Sequence, residues 1–299
     1  MGAGPWGAAG PGFLDVPALL ESSQPRARIP RLGFLALGFV AVVVASAMVS
    51  GQSEGARQVV RVLSAVLMVG LMAGLSAMTM VLVRRFRAEQ QQIEAAGEAV
   101  QLRRWPEAGA ILEQYLARPA RTHQLRAQAL IFLASVLARY HRYDDAIAVY
   151  DELLAHELVD PASAFGLRLG RAMALLADDH LFDADRAISE LRRAAGEKDS
   201  AGLALLELSR DVRTGHSEDA VDRFNRTLQV MRDELGHRVG DAYALVARAY
   251  DLLGRADEAQ DAFDKATLLA PQPELYRRYP EVQKLDGRYR PAYAPPEAA

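Results

Sequence analysis

Residues 250–271 read YDLLGRADEAQDAFDKATLLAP, and this stretch decides the fold. Apolar side chains recur at helical spacing on both sides of Gly254, and the second run ends at Pro271. Glycine lets a chain turn out of one helix, and proline ends the next because it cannot continue the intrahelical hydrogen bonding. The small side chain of Ala259 allows two helices to cross at close range. The stretch therefore predicts a tight pair of helices.

The same pattern recurs four times upstream, each time with an alanine at the crossing point of the predicted pair. Intervals of 38, 38, 36 and 39 residues separate these alanines, which are Ala108, Ala146, Ala184, Ala220 and Ala259. Most of the preceding helices carry an alanine at the matching point: Ala96, Ala134, Ala172 and Ala247. A repeat of this length predicts a solenoid, because several helical pairs must stack before they share a continuous core. The open alternative is an ordinary helical bundle in which the spacing is coincidental.

Residues 240–271 carry the pattern most completely, in Tyr243, Ala247, Tyr250, Gly254, Ala259, Phe263, Ala266 and Pro271. At nearly every one of these positions the chain resembles the consensus of the tetratricopeptide-repeat (TPR) family. The resemblance implies an all-α fold, an α-solenoid of about five TPR-like helix pairs over residues 89–271. It also implies a concave groove, lined by the first helix of each pair, at which the array binds other proteins or peptides.

Two apolar stretches without a single charge precede the repeats, at residues 32–50 and 62–83. As helices they would be about 28 and 33 Å long, and the hydrocarbon core of a bilayer is about 30 Å thick. The connection between them is short and polar, so together they predict a transmembrane hairpin over residues 32–83. The alternative is a cleaved signal peptide followed by a buried helix, although signal peptides have shorter apolar cores.

Of the segments that flank the hairpin and the array, some are expected to be disordered and others helical. Residues 1–31 are rich in Gly, Ala and Pro and lack periodicity, which predicts a disordered leader. No helix breaker follows the second span, so one long helix is expected from Val62 to about Arg103, with Gly97 as its weak point. Residues 272–299 are expected to form a capping helix and a disordered tail.

Arginines flank both apolar stretches and predict the orientation of the hairpin. Three precede the first span and three follow the second, whereas the connection holds two. By the positive-inside rule both termini face the cytoplasm. Arginine outnumbers lysine by 32 to 3, which is typical of a GC-rich bacterial genome. We therefore predict a multi-pass protein of the bacterial cell (inner) membrane with cytoplasmic N- and C-termini.

Charge and residue types exclude several kinds of function. Residues 89–270 carry 22 basic and 31 acidic side chains, a net charge of −9 that repels nucleic acid. Cysteine is absent, so no disulfide or thiolate metal site can form. No HExxH, GxSxG or glycine-rich phosphate loop occurs, and Asp178-Asp179-His180 is expected on a turn where neighbouring side chains point apart. We therefore expect no catalysis, no cofactor and no metal.

In the TPR family the same few positions of each first helix face the groove. Carried onto this chain, the partner-binding candidates are Ile131, Ser135, Arg139, Met173, Ser209, Arg213 and Arg248, with Gln128, Leu169, Leu205 and Ala244 beside them. The three arginines suit the carboxylate or backbone carbonyl groups of a peptide. Solvated arginines without a binding role fit the sequence as well.

The combination predicts a membrane-anchored protein–protein interaction scaffold or adaptor. Two alternatives stay open, an envelope assembly or maturation factor with periplasmic repeats and a non-catalytic subunit of a membrane enzyme complex. A stripe of small residues in the second span would let the hairpin pack closely against itself or against a second copy of the chain, and it consists of Gly70, Ala73, Gly74 and Ala77.

Overall fold

A computed structural model describes residues 6–7, 10–11, 14–25, 54–156, 160–196 and 200–289. Within these ranges the chain forms twelve α-helices, two 3₁₀ helices and one pair of two-residue antiparallel strands, β1 (Trp6–Gly7) and β2 (Gly10–Pro11). This confirms the predicted all-α class. The chain divides into two compact units, Met1–Tyr140 and His141–Ala299.

The described part of the first unit contains four helices, α1 (Val16–Ser22), α2 (Glu54–Gln101), α3 (Trp105–Leu116) and α4 (His123–Arg139). The helices α2, α3 and α4 contact one another, and α1 lies against α3. Ile93 near the end of α2 and Leu112 of α3 are both buried. The C-terminal part of α2 therefore belongs to the folded unit.

The described part of the second unit holds eight helices: α5 (Tyr143–Ala155), α6 (Pro161–Ala177), α7 (Leu181–Ala195), α8 (Ala201–Thr214), α9 (Ser217–Leu235), α10 (Val239–Leu252), α11 (Ala256–Leu269) and α12 (Gln272–Arg278). One 3₁₀ helix, Gly236–Arg238, joins α9 to α10, and another, Pro280–Leu285, follows α12. From α5 to α11 each helix contacts the next, and in addition α6 contacts α8 and α8 contacts α10. Helical pairs whose first helices lie side by side are typical of a repeat solenoid. The repeat-like helical architecture is therefore confirmed.

The alanines predicted at the helix crossings lie in the interior. None of the five has any exposed surface: Ala108, Ala146, Ala184, Ala220 and Ala259. The matching alanines of the first helices are equally buried: Ala96, Ala134, Ala172 and Ala247. Larger side chains at these points would force the helices apart, because packed interiors leave no room for added methylene groups.

A residue in the left-handed backbone conformation precedes the second helix of every pair. Its φ lies between +57° and +83° at these five residues: Arg103, His141, Asp179, Gly215 and Gly254. Each stands five positions before one of the buried alanines. In the first, third, fourth and fifth pairs the following N–H donates to a carbonyl of the preceding helix at 2.8 to 2.9 Å. One turn geometry therefore recurs through the chain, with glycine in only two of its five occurrences.

The long helix expected after the second span is confirmed, since α2 runs without interruption for 48 residues. Gly97 is not a weak point in this helix. A Cβ atom at Gly97 would lie 3.0 Å from the ring of Phe132 on α4. The missing side chain therefore lets α4 approach α2 closely.

Within α2, the stretch of residues 66–83 is apolar and largely exposed where its side chains are described. Val66, Val69 and Met72 each expose more than half of their surface. Among the described residues, α2 alone is long and apolar enough to cross a membrane, judged by length and composition. The other predicted span, residues 32–50, lies outside the described residues, so the structure supplies one of the two helices of the predicted hairpin.

The leader is partly ordered, which corrects the prediction of disorder over residues 1–31. Its helix α1 is docked by Arg126 of α4, a buried residue. The Arg126 guanidinium donates hydrogen bonds to the Ser23 hydroxyl at 3.0 Å and to the Leu20 carbonyl at 2.9 Å. Composition indicated disorder, but α1 supplies acceptors that a buried guanidinium needs.

Candidate peptide-binding groove

The predicted groove follows α6, α8 and α10 in the second unit, and much of its lining is buried. On α8, Leu205 is 2% and Ser209 is 3% exposed, and on α10 Ala244 has no exposed surface. On α6, Leu169 and Met173 are half-buried. The α8 and α10 residues can contact a partner only if a covering part of the molecule moves.

On α4, in the first unit, the corresponding positions are more accessible. Gln128 and Ser135 are exposed, and Ile131 is half-buried. The Ser135 hydroxyl donates to the Ile131 carbonyl at 3.1 Å within the helix. Arg139 is half-buried, and its guanidinium lies 5.8 Å from the centre of the Trp105 ring in a cation–π contact. This helix therefore presents predicted groove residues to solvent.

Two of the three predicted anchor arginines are held by carboxylates of the chain itself. Arg213 Nη2 lies 2.7 Å from Oδ1 of Asp179, the left-handed residue of the turn between α6 and α7. Arg248 forms an ion pair with Asp251, one turn further along α10. Both arginine side chains are largely buried. An anchoring role for either arginine would require it to exchange this intramolecular partner for one on the ligand.

The C-terminal segment, residues 272–289, packs on the buried part of the groove. It consists of α12, the 3₁₀ helix Pro280–Leu285 and a final turn, in place of one capping helix. The 3₁₀ helix contacts α10, and the segment shares one apolar cluster with Leu205 and Ala244. Four of its apolar side chains are only 0 to 4% exposed, and they are Leu275, Tyr279, Val282 and Leu285.

Two aspartates of α10 hold this segment. Arg278 Nη1 lies 2.7 Å from the Asp241 carboxylate. Arg288 Nη1 lies 3.1 Å from Asp251 Oδ1, and the Tyr289 hydroxyl donates to the same oxygen at 3.1 Å. Both aspartate side chains are buried, with 1% and 5% exposure. The helix α10 therefore offers two buried carboxylates to this segment.

A buried carboxylate of the segment, Glu281, lies among charged groups. Burial raises the pKa of Glu281, and Asp179 raises it further, whereas a backbone N–H and the guanidinium of Arg213 oppose the shift. Burial raises the pKa of Asp241 as well, although nearby arginines lower it. Protonation of Glu281, which belongs to the segment, therefore favours the docked segment.

A buried ion network joins α7, α8 and α9, and the sequence analysis missed it. Glu207 of α8 accepts a hydrogen bond from Arg192 Nε at 2.9 Å and another from Arg223 Nη1 at 2.6 Å. Asp211, one turn further on, accepts from Arg223 Nε at 2.8 Å. In the repeat register Asp211 stands where the fifth pair has Tyr250. The fourth pair thus has an ion network at a position where the fifth pair has an aromatic ring.

Three side chains with metal-ligating groups converge beside the turn between α6 and α7. Asp144, Asp178 and His180 each place one ligand atom within 4.8 Å of the others. The sequence analysis expected no further ligand near Asp178 and His180, but α5 supplies Asp144. Burial raises the pKa of Asp178, and the charge of Asp144 adds to that rise. His180 Nε2 already lies 3.3 Å from Asp178, and exposed acidic groups of this kind are common without a metal, so we assign none.

The small-residue stripe of α2 is exposed along its length. Within the described part of the chain, no atom beyond the helix's own nearby backbone would lie within 4 Å of a Cβ at Gly70 or Gly74. Ala73 and Ala77 are exposed as well. Packing of this stripe against a second helix or a second copy of the chain stays a prediction.

Scans of the chain against protein-family models and against curated proteins find no match. The interpretation of its function therefore depends on the groove, the repeated pairs and the exposed helix α2.

Proposed function

We propose that the chain is a membrane-anchored protein–protein interaction scaffold built on a TPR array, without catalytic activity. The observation that carries the proposal is the recurring geometry of the pairs, in which a buried alanine follows a left-handed turn residue at the same interval each time. This geometry supports the resemblance to the TPR family, whose arrays bind proteins and peptides. The exposed apolar helix α2 supports the membrane anchor.

The contact between α1 and α3 favours two membrane crossings. The Ser22 hydroxyl donates to the Leu116 carbonyl at 2.9 Å, and the Ala120 N–H donates to the Ser23 carbonyl at 3.1 Å. The two elements therefore share one side of any bilayer, although α2 separates them in sequence. If α2 crosses once, the chain between α1 and α2 must cross an odd number of times. The uncharged residues 32–50 are long enough for that crossing.

Reporter fusions test the anchor. A periplasm-active phosphatase or a cytoplasm-active fluorescent protein is fused after Ala299 or inserted after Gln24. We expect fluorescence and no phosphatase activity at both sites, because the flanking arginines outnumber those of the connection. Opposite sides for the two sites would refute the hairpin. Phosphatase activity at both sites would place the array in the periplasm and make envelope assembly the leading function.

Photo-crosslinking in cells tests the scaffold. A photoreactive amino acid replaces Gln128 or Ser135, which are exposed on α4, and Gln114, exposed on α3, is the matched control position. We expect a discrete crosslinked protein at the two α4 positions and not at the control. Equal labelling at all three positions would refute groove binding. An enzyme as the captured protein would assign the chain to a membrane enzyme complex.

A further inference from the structure

Predicted groove positions are exposed on α4 of the first unit and buried on α8 and α10 of the second unit. Gln128 and Ser135 of α4 are exposed, whereas Ser209 of α8 and Ala244 of α10 are buried. The segment that packs on α10 is residues 272–289, which follow the last helix of the array. This segment continues past the array and adds no further helical pair, so its position on the groove face needs an explanation other than repeat stacking.

The contacts of this segment are those of a recognised peptide. Leu275, Tyr279 and Val282 follow an i, i+4, i+7 spacing and are buried. Arg278 lies next to Tyr279 in sequence and reaches the buried carboxylate of Asp241 at 2.7 Å. Leu275 lies in α12, Tyr279 directly after it and Val282 in the 3₁₀ helix, so the three anchors come from consecutive short elements. Buried apolar anchors provide affinity, and a buried carboxylate rejects ligands that bring no cation to it. As a binding groove, this face would therefore discriminate between peptides by the arginine as well as by the apolar side chains.

We propose that residues 272–289 are a cis ligand of the groove on α8 and α10, and that this groove exchanges them for a peptide with apolar side chains at i, i+4 and i+7 and an arginine at i+3. The inference rests on the proposed scaffold function, because it names the partner chemistry of the same groove. Ala270 and Pro271 are the only residues between α11 and α12. A tethered ligand has an effective concentration on the order of millimolar, so a free peptide competes only poorly until the tether is cut.

Cleavage of the tether after folding provides the test. A protease site flanked by glycines is inserted between Pro271 and Gln272 of the full chain, which is purified in detergent and then cut. The probe is a fluorescent synthetic peptide of residues 272–289. We expect the cut chain to exchange its segment for the probe with saturable binding, and the uncut chain to bind the probe at least tenfold more weakly. A probe carrying Arg278→Glu should bind the cut chain at least tenfold more weakly than the unchanged probe.

Three results would overturn the proposal. Loss of helical circular dichroism when the cut segment is washed away would show that the segment is part of the core. A cut chain that keeps its helices but binds no probe would show that the groove does not recognise this sequence. A dimer that falls apart on cutting would show that the segment serves a second copy of the chain.

An uncut variant keeps the test decisive if the protease site disturbs folding. Tyr279→Asp places a charge on a buried ring position of the segment, so the segment should leave the groove and the added probe should bind. Phe182→Asp, at a largely exposed side chain on α7, is the matched control and should leave probe binding low. Crosslinking at Gln128 and Ser135 of α4 reports partner binding separately from probe exchange on α8 and α10. Partner capture without probe exchange would overturn this inference alone, and probe exchange without partner capture would overturn only the proposed function.

Discussion

Glycine substitutions at the left-handed turns should stabilise the array. Three of the five turns place a residue with a Cβ atom in this conformation: Arg103, His141 and Asp179. There the Cβ atom crowds the following carbonyl, at a cost of about 1–2 kcal/mol. Glycine avoids this crowding but loses about 0.5–1 kcal/mol more backbone entropy on folding. The difference predicts a gain of about 0.5–1 kcal/mol in the free energy of unfolding for each substitution.

His141 is the cleanest position for this test. His141→Gly removes a hydrogen bond between the imidazole and the Tyr143 hydroxyl at 2.9 Å. This hydrogen bond is exposed, so water replaces the lost partner at little cost in free energy. Asp179 is less suitable because it pairs with Arg213. The matched control is Gly254→Ala in the fifth pair. No atom of the described chain outside the glycine and its neighbours lies within 4 Å of a Cβ there, so its cost of about 0.5–1 kcal/mol is purely conformational.

Thermal unfolding of the detergent-solubilised chain, followed by far-UV circular dichroism, measures both variants. About 1 kcal/mol moves the Tm of a unit of this size by roughly 2–4 °C. We expect His141→Gly to melt about 1–4 °C above the wild type and Gly254→Ala about 1–4 °C below it. A lower Tm for His141→Gly would show that the turn is not left-handed in solution, and would refute the shared turn geometry.

Three further changes test other parts of the molecule. Glu207→Ala should lower the free energy of unfolding by about 3 kcal/mol, because it removes the buried acceptor shared by two arginines. The control is Glu190→Ala, which breaks an exposed ion pair with Arg186 and should change the free energy of unfolding by less than about 0.5 kcal/mol. Arg126→Leu should release α1, so the amides of α1 should exchange hydrogen with solvent as in a free peptide; retained protection would contradict the docking role of this arginine. Glu281→Gln should stabilise the docked segment at neutral pH. Docking raises the pKa of Glu281, so the wild type should lose stability relative to this variant as pH rises from the ordinary glutamate pKa to the higher pKa of docked Glu281. Parallel profiles of Tm against pH for the two proteins would refute the raised pKa.

Features with a local physical cause could be predicted from the sequence. Ala146 and Ala184 mark helix crossings, because only a small side chain lets two helices approach closely. The uncharged run at residues 62–83 marks a helix able to cross a membrane, because length and hydrophobicity suffice for that property. The uninterrupted course of α2 follows from the lack of a breaker between this run and the first repeat helix.

Features that depend on distant contacts could not be predicted. The composition around α1 indicates disorder, and its order comes from Arg126, which lies 103 residues after its acceptor Ser23. Nothing in the local sequence shows that Arg103 adopts the left-handed conformation that Gly254 adopts more easily. Asp211 stands where the fifth pair has an aromatic ring, and its buried carboxylate is held by the neighbouring Arg210 together with Arg223, which comes from the next helix.

Arginine docks both ends of the chain, but with opposite consequences for exchange. At α1 the cation belongs to the array, so release of the leader would take from Arg126 the two hydrogen-bond acceptors that Ser23 and Leu20 supply. At the C-terminus the cations belong to the segment, and Arg278 and Arg288 return to water when it leaves. The carboxylates that remain on α10 line the face that release would open to solvent. The leader is therefore expected to stay docked while the C-terminal segment exchanges, which leaves the groove as the adjustable surface of this chain.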